Sequence, residues 1–296
     1  MSTPKYKISA VGDRPQMSNC LGDRDIQLLH FLCTILTKNM SNSLDIILSE
    51  IDALKLSLNK YRHLESEKVA KALDLEYTYE SNRIEGNTLT LQETALVVEK
   101  GLTIGGKSMQ EHLEAINHTF ALDYIKDLVK DKISFTEAVL LDIHKLVLQG
   151  IDNHNAGSYR KLQVLISGAK HIPPQPYLLQ KEMESLFLWY EAEKDSIHPI
   201  ILAAEMHERL VTIHPFIDGN GRTSRLLMNL ILLQHGYPIA ILKGDSDSRS
   251  KYYSALEQAQ AEGSKQQFFE LVMQNLKETI IRILHVLGGV RGIMEE

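Results

Sequence analysis

The fold of this chain is organised around the stretch His214-Pro215-Phe216-Ile217-Asp218-Gly219-Asn220-Gly221-Arg222-Thr223-Ser224-Arg225. Before this stretch, apolar residues recur at helical spacing, and Pro215 would stop that helix beside His214. After it, leucines at helical spacing open a second helix, which Gly236 can close. The stretch is therefore predicted to be a short loop between two buried helices.

The second half of the loop has the features of an anion-binding site. Gly219 and Gly221 let the backbone approach a ligand closely, and the new helix presents unpaired N–H groups with a partial positive charge. Arg222 and Arg225 lie three residues apart on one face of the first turn, so both can fork onto phosphate oxygens. These residues favour a phosphate-bearing ligand.

Two further residues of the loop add reactive groups. Asp218 offers a hard oxygen to Mg²⁺, which prefers substrate phosphates as its other ligands. His214 has the ordinary pKa of a group that can take a proton from an attacking hydroxyl. The alternative interpretation is a glycine-rich turn with two solvated arginines and a capping histidine, but the full string favours a nucleotide enzyme.

The whole string resembles the signature of the Fic (Fido) domain family, His-Pro-Phe-x-Asp-Gly-Asn-Gly-Arg-x-x-Arg, and every position of it is filled. Most members of that family transfer AMP from ATP to a hydroxyl of a target protein. The resemblance implies ATP as substrate, Mg²⁺ or Mn²⁺ held by Asp218, and His214, Asn220 and Arg225 as catalytic residues. It also implies the nucleotide-binding residues Phe216, Asp218, Gly219, Asn220, Gly221, Arg222 and Arg225.

An upstream helix carries a second signal. The residues from His63 to Glu85 have helical apolar spacing and stop at Gly86, and Ser81 and Glu85 share one face. A carboxylate at a helix C-terminus is unfavourable without a cation nearby. In the Fic family, a Ser/Thr-x-x-x-Glu-Gly/Asn helix is a built-in inhibitor whose glutamate pairs with the second arginine of the motif, here Arg225. The resemblance therefore implies that Ser81 and Glu85 are inhibitory.

A short strand-like stretch comprises Leu162, Gln163, Val164, Leu165 and Ile166. With the turn that follows, it predicts a small β-hairpin ended by Pro173-Pro174. The hairpin is either a connector or an edge that pairs with an extended segment of a target protein. This part of the chain resembles the target-binding flap of Fic proteins, and we call residues 162–166 the flap segment.

Two adjacent tyrosines, Tyr252 and Tyr253, occur after the motif. In the family, a helix that opens with such a pair lines the adenine pocket. Packing between helices explains the pair equally well, and the sequence leaves both interpretations open.

The predicted fold is all-α: a Fic-type helical bundle with the hairpin flap over the active site. Three capping boxes predict helix starts, at Thr90 with Glu93, Ser108 with Glu111, and Ser134 with Glu137. Residues 1–105 are predicted to form an N-terminal helical region that includes the inhibitory helix at about 64–86, packed as one body with the rest. Residues 106–287 are predicted to form the catalytic core with its C-terminal helices.

The composition and net charge of the chain argue against several classes of protein. The 296 residues carry a formal net charge of −6, which argues against nucleic-acid binding. Cys20 and Cys33 are too few for a disulfide framework or a zinc site. The polar first residues and the lack of a long apolar run predict a cytosolic protein without a membrane partner. The expected partners are nucleotide and a target protein, and a homodimer stays open.

Rival functions exist within this framework. The same motif could remove AMP from a modified protein, with Glu85 orienting a water, or transfer UMP or another phosphoryl group. In a different class, the chain would be a regulatory protein that senses nucleotide without turnover. The complete set from His214 to Arg225 argues against that last alternative, because a binder needs no base.

Overall fold

The computed structural model describes residues 44–64 and 66–288. The chain divides into two compact units, residues 1–46 and 47–296, and of the first only residues 44–46, which are helical, are described. The first 43 residues of the predicted N-terminal helical region, among them both cysteines, lie outside the described residues. Everything below concerns the larger unit.

The described part of this unit is helical, and none of its residues lies in a β-strand. Residues 47–61 form α1, which a 3₁₀ turn at Arg62–Leu64 follows. The later helices are α2 (Glu67–Ile84), α3 (Leu91–Lys100), α4 (Met109–Lys130), α5 (Glu137–Leu148), α6 (Leu179–Glu193), α7 (Pro199–Ile213), α8 (Asn220–Gln234), α9 (Ser246–Glu262) and α10 (Gln266–Val286). The all-α prediction is confirmed. No helix among the described residues is long and apolar enough to cross a bilayer.

Helices α7 and α8 form the centre of the bundle and carry the motif between them. Pro199 at the first turn starts α7, and α8 ends before Gly236, whose φ of +75° supplies the predicted left-handed closing residue. Helices α4 and α5 pack on α8, whereas α6, α9 and α10 pack on α7. Because both central helices are buried along most of their length, the loop between them is held at both ends.

Helix α2 packs on α3, α4 and α8. Leu89, Val97 and Ala115 share a small buried cluster, with Ile104 against it. This cluster joins residues on both sides of the predicted boundary near residue 105. The boundary itself stays a prediction.

Two of the three predicted capping boxes are present, at Thr90 with Glu93 and at Ser108 with Glu111. The third prediction is wrong, because Thr136 rather than Ser134 caps α5. The hydroxyl of Thr136 accepts from Val139 N–H (3.4 Å), so the helix begins two residues later than predicted.

The predicted β-hairpin is not formed. Residues 161–174 make a loop in which the flap segment forms no strand, with a turn closed by a bond from Ala169 N–H to Ile166 O (3.2 Å). A lone two-stranded ribbon is marginally stable in water, and Pro173 and Pro174 have no N–H to donate. The loop is instead closed by a side chain, since Gln163 Nε2 donates to Pro173 O (2.9 Å).

Candidate active site

His214 lies at the C-terminal end of α7, in a left-handed backbone conformation with φ +51° and ψ +57°. Its Nδ1 is 3.3 Å from the carbonyl oxygen of Val211, which can only accept, so Nδ1 carries the proton and Nε2 keeps a free lone pair. Burial lowers the pKa of His214 to about 4, and the charge of Arg160 acts in the same direction. At neutral pH the imidazole is therefore a neutral base.

The loop after His214 is held by the side chain of Asn220. Its Oδ1 accepts from the N–H of Phe216 and its Nδ2 donates to the carbonyl of the same residue, both at 3.0 Å. The predicted catalytic residue Asn220 thus places its amide inside the loop and fixes the path of the backbone between His214 and Asp218.

His144, on α5, is a site residue that sequence reasoning missed. Its ring stacks on Phe216 with centroids 3.6 Å apart, its Nδ1 accepts from Gly157 N–H (3.0 Å), and its Nε2 therefore donates to Asp218 O (3.0 Å). Burial lowers the pKa of His144 to about 4, which keeps this pattern intact at neutral pH. The available signal was a histidine on an apolar helix face, since a buried ring nitrogen needs a partner.

Asp218 points partly into solvent. One carboxylate oxygen accepts from Gly219 N–H (2.6 Å), the other lies 3.4 Å from Arg222 Nη2, and the side chain is 55 % exposed. The described residues contain no cluster of three potential metal ligands. A single half-exposed carboxylate nevertheless fits Mg²⁺, which keeps several waters and takes substrate phosphates as ligands.

Arg222 is buried, yet its Nε and Nη1 have no hydrogen-bond partner. Nη1 lies 3.5 Å from Glu114 Oε1, an ion pair without a hydrogen bond. Leaving buried donors unsatisfied is costly, and a planar guanidinium suits the paired oxygens of a phosphate. The two free donors at the start of α8 therefore fit the phosphates of a nucleotide.

The fully buried Arg225 binds both residues of the predicted inhibitory pair. Its Nη2 lies 2.7 Å from Glu85 Oε1 and 2.9 Å from the carbonyl oxygen of Ser81, and its Nε donates to Ser81 Oγ (3.0 Å). The structure thus brings Ser81, Glu85 and Arg225 together, although they are about 140 residues apart in sequence.

The Glu85 carboxylate lies over the N-terminus of α8. A Cβ atom at Gly221 would collide with Glu85 Oε1, so only a glycine leaves room for the carboxylate at this turn. Burial alone would raise the pKa of Glu85, but the charges of Arg225 and Arg222 outweigh it and lower the pKa. The anion position of the motif is therefore filled by an ionised side chain of the same molecule.

The two tyrosines have different environments. Tyr252 is buried, and its hydroxyl lies 3.4 Å from Arg225 Nη1 and 3.1 Å from His207 Nε2. Tyr253 is 41 % exposed and its hydroxyl donates to Ile84 O (3.2 Å) at the end of α2. Tyr252 is thus buried beside Arg225, and Tyr253 is the one whose ring is partly open to solvent.

The loop of residues 161–174 is attached to the catalytic end of α7. Arg160 N–H donates to Pro215 O (2.9 Å), and His171 Nε2 lies 2.7 Å from Thr212 O. Leu162 and Leu165 in the flap segment are 69 % and 78 % exposed. Both ends of this loop are therefore fixed beside His214, with apolar side chains left in solvent.

The chain is similar in sequence to known proteins. The sequence pattern of the Fic/DOC family matches residues 134–232. Proteins named protein adenylyltransferase Fic are similar to the chain: that of Drosophila willistoni is 37 % identical over 236 residues (79 % of this chain, 46 % of the relative) and that of Drosophila melanogaster is 35 % identical over 277 residues (93 % and 54 %). The chain spans about half the length of these curated relatives.

Two solved structures are also similar. Fic-1 from C. elegans superposes with a TM-score of 0.77 at 30 % identity, with 90 % of this chain and 78 % of that one covered. A Fic-domain-containing signalling protein from Bacteroides thetaiotaomicron gives a TM-score of 0.69 at 29 % identity, with 81 % and 97 % covered.

Proposed function

Because the chain belongs to the Fic/DOC family, we propose that it transfers AMP from ATP to a Ser, Thr or Tyr hydroxyl of a target protein. One observation carries the proposal: a neutral histidine with a free Nε2 and a buried arginine with unsatisfied donors lie at the two ends of one short loop. A base and an anion site beside one loop are what transfer of a nucleotide phosphate requires.

Four residues of the chain have separate roles in the proposed reaction. His214 Nε2 takes the proton of the target hydroxyl, whose oxygen forms a bond to the α-phosphorus as the bond to pyrophosphate breaks. Arg222 and the N-terminal N–H groups of α8 hold the phosphates, and Arg225 orients the γ-phosphate so that pyrophosphate leaves in line. Mg²⁺ or Mn²⁺ held by Asp218 would supply neutralisation of the phosphate charge.

Glu85 is proposed to hold the enzyme in an inhibited state. Its carboxylate takes the Arg225 donor that the γ-phosphate would use, and two oxyanions cannot share that fork. ATP would then bind with its γ-phosphate displaced, and pyrophosphate would be misaligned as a leaving group.

The test of the function is incorporation of label into protein. The Glu85→Gly protein is incubated with a cell extract and ATP labelled at either the α- or the γ-phosphate. Transfer of AMP puts only the α-label on protein, whereas phosphoryl transfer would put only the γ-label there. Incorporation of neither label would contradict the proposal.

The reverse reaction is the second candidate, and the position of Glu85 favours it. Its ionised side chain is 32 % exposed and close enough to affect the pKa of His214, so it could orient a water toward the phosphate of a modified target. Release of AMP from a purified, modified target by the wild-type protein would support this reaction.

We expect Val164→Pro to block modification of the target while ATP affinity stays unchanged. The flap segment is proposed to pair with an extended target segment, and proline removes one N–H from that edge. Modified target is measured by mass spectrometry and ATP binding by calorimetry.

Ser167→Pro is the matched control for the flap. Ser167 precedes Gly168, which has a φ of +78°, in a turn where proline is well tolerated. Modification by this control at the normal rate is expected. Unchanged modification by a folded Val164→Pro protein would show that the loop is only a connector.

We expect activity to vanish in EDTA and to return with Mg²⁺ or Mn²⁺, and Asp218→Asn to be nearly inactive. Asp218 is the acid of the phosphate loop, and its carboxylate is open to a metal. Rates are measured in the Glu85→Gly background, with Asp247→Asn, an exposed acid of α9, as control. Full activity in the presence of chelator would remove the metal from the mechanism.

A further inference from the structure

Arg160 is a buried cation whose partners are carbonyl groups. Its side chain donates to three of them: Nε to His214 O (2.8 Å), Nη1 to Leu162 O (3.0 Å) and Nη2 to Pro174 O (2.5 Å). It is 2 % exposed, and no carboxylate of the described residues lies within ion-pair distance of it. Burying a charge without a counter-ion costs free energy of folding, and the three carbonyl groups offset only part of that cost.

The three carbonyls belong to two different parts of the molecule. Leu162 and Pro174 are the two ends of the loop that contains the flap segment, so the guanidinium closes the neck of that loop. Gln163 reinforces the closure, because it accepts weakly from Arg160 Nη1 (3.4 Å) and donates to Pro173 O. The third carbonyl belongs to His214, at the strained end of α7.

A guanidinium is planar, and its donors keep fixed angles to one another. When the neck of the loop moves, the guanidinium of Arg160, which is bonded to it, must rotate or shift as a rigid unit. His214 O is bonded to that same piece, so a change at the neck reaches the backbone of His214 without any intervening flexible side chain.

We propose that Arg160 is a positioning residue that couples the flap to the base, so that a target segment seated on the flap fixes the position of His214. The inference rests on the proposed role of the flap, and it adds a link between occupancy of the flap and the geometry of proton transfer. The base is then held in its reactive position when a target is in place.

The charge of Arg160 adds to this positioning. The titratable groups that act on the His214 ring are Arg160, His171 and Glu85, and of these only Glu85 favours the imidazolium. Arg160 therefore helps to keep the base neutral. Removing its charge should raise the pKa of His214, whereas removing only its planar geometry should not.

Two variants in the Glu85→Gly background separate the two effects. We expect Arg160→Lys and Arg160→Met each to lower kcat by about 10²-fold, as a misplacement of about 1 Å can do, with ATP affinity unchanged. Only Arg160→Met should raise the pKa of His214, measured by NMR titration of the imidazole. Arg209→Met is the control, because this partly exposed cation lies over Trp189, and its loss should alter neither quantity.

A second experiment does not depend on variants of the buried arginine or on any activity. Gln163 is exposed, so Gln163→Leu should fold while it loosens the neck of the loop. We expect the His214 Cε1 resonance to shift in this variant and to stay in place in Gln180→Leu, where the lost amide bonds only Glu184 on α6. An unmoved resonance in Gln163→Leu would overturn the coupling.

The two proposals fail in different ways. If the Glu85→Gly protein transfers no AMP, the proposed function is wrong, whatever the NMR spectra show. If the Glu85→Gly protein transfers AMP but a folded Arg160→Met variant of it keeps both its kcat and the pKa of His214, the proposed function is retained and the proposed role of Arg160 is overturned.

Discussion

The Glu85→Gly protein should incorporate AMP about 10²–10³-fold faster than wild type at saturating Mg·ATP, a range set by what one transition-state donor is worth. In the wild type that donor, Arg225, is bonded to Glu85 at 2.7 Å, and the carboxylate also covers the start of α8 at Gly221. Glycine removes the carboxylate and leaves in place the two hydrogen bonds that Arg225 donates to Ser81. The arginine therefore keeps its position and becomes free for the γ-phosphate.

The comparison needs AMP incorporation measured for wild type, Glu85→Gly and Glu67→Gly side by side. Glu67 is an exposed acid at the start of the same helix, paired with Lys71, so its loss should leave the wild-type rate unchanged. Equal rates for wild type and Glu85→Gly would show that Glu85 is a plain helix end. Loss of AMP removal in the variant would instead favour the reverse reaction.

The second large effect is expected from His214→Ala, which should lower the rate by about 10²–10⁴-fold, the usual contribution of a general base. The free Nε2 is the acceptor for the hydroxyl proton, and the low pKa of His214, about 4, keeps it unprotonated at neutral pH. Nucleotide should still bind, because Arg222 and the start of α8 are untouched.

The measurement is made in the Glu85→Gly background, where the starting rate is high enough for a loss to be seen. His235→Ala is the matched control, since this histidine caps the far end of α8 and bonds Ile231 O. Near-normal turnover by His214→Ala would contradict the mechanism, and a loss of ATP binding would give His214 a different role.

Much of the site could be predicted because its residues are contiguous or share one helix face. The motif from His214 to Arg225 is a single string, and the spacing of Ser81 and Glu85 placed both on the side of α2 that meets Arg225. A cation near Glu85 could be anticipated because a carboxylate at the end of a helix needs one. That this cation is Arg225 was implied by the family resemblance.

The residues that were missed depend on partners far away in sequence. His144 binds the carbonyl of Asp218, 74 residues later, and Arg160 binds that of His214, 54 residues later. A carbonyl partner leaves no trace in the sequence, because every residue has one. The predicted hairpin does not form for a related reason. The alternation of side chains from Val164 to Ile166 is a local pattern, whereas a β-strand needs a second strand to pair with, and the described chain does not supply one.

The left-handed backbone of His214 has a consequence for any attempt to raise the thermal stability of this protein. Such a conformation costs an ordinary residue about 1–2 kcal/mol, whereas glycine adopts it freely. Selection for heat resistance alone would therefore favour glycine at this position and discard the base with it. At this position, thermal stability favours glycine whereas catalysis requires histidine. Mutations that raise the stability of an engineered form must therefore lie elsewhere in the bundle.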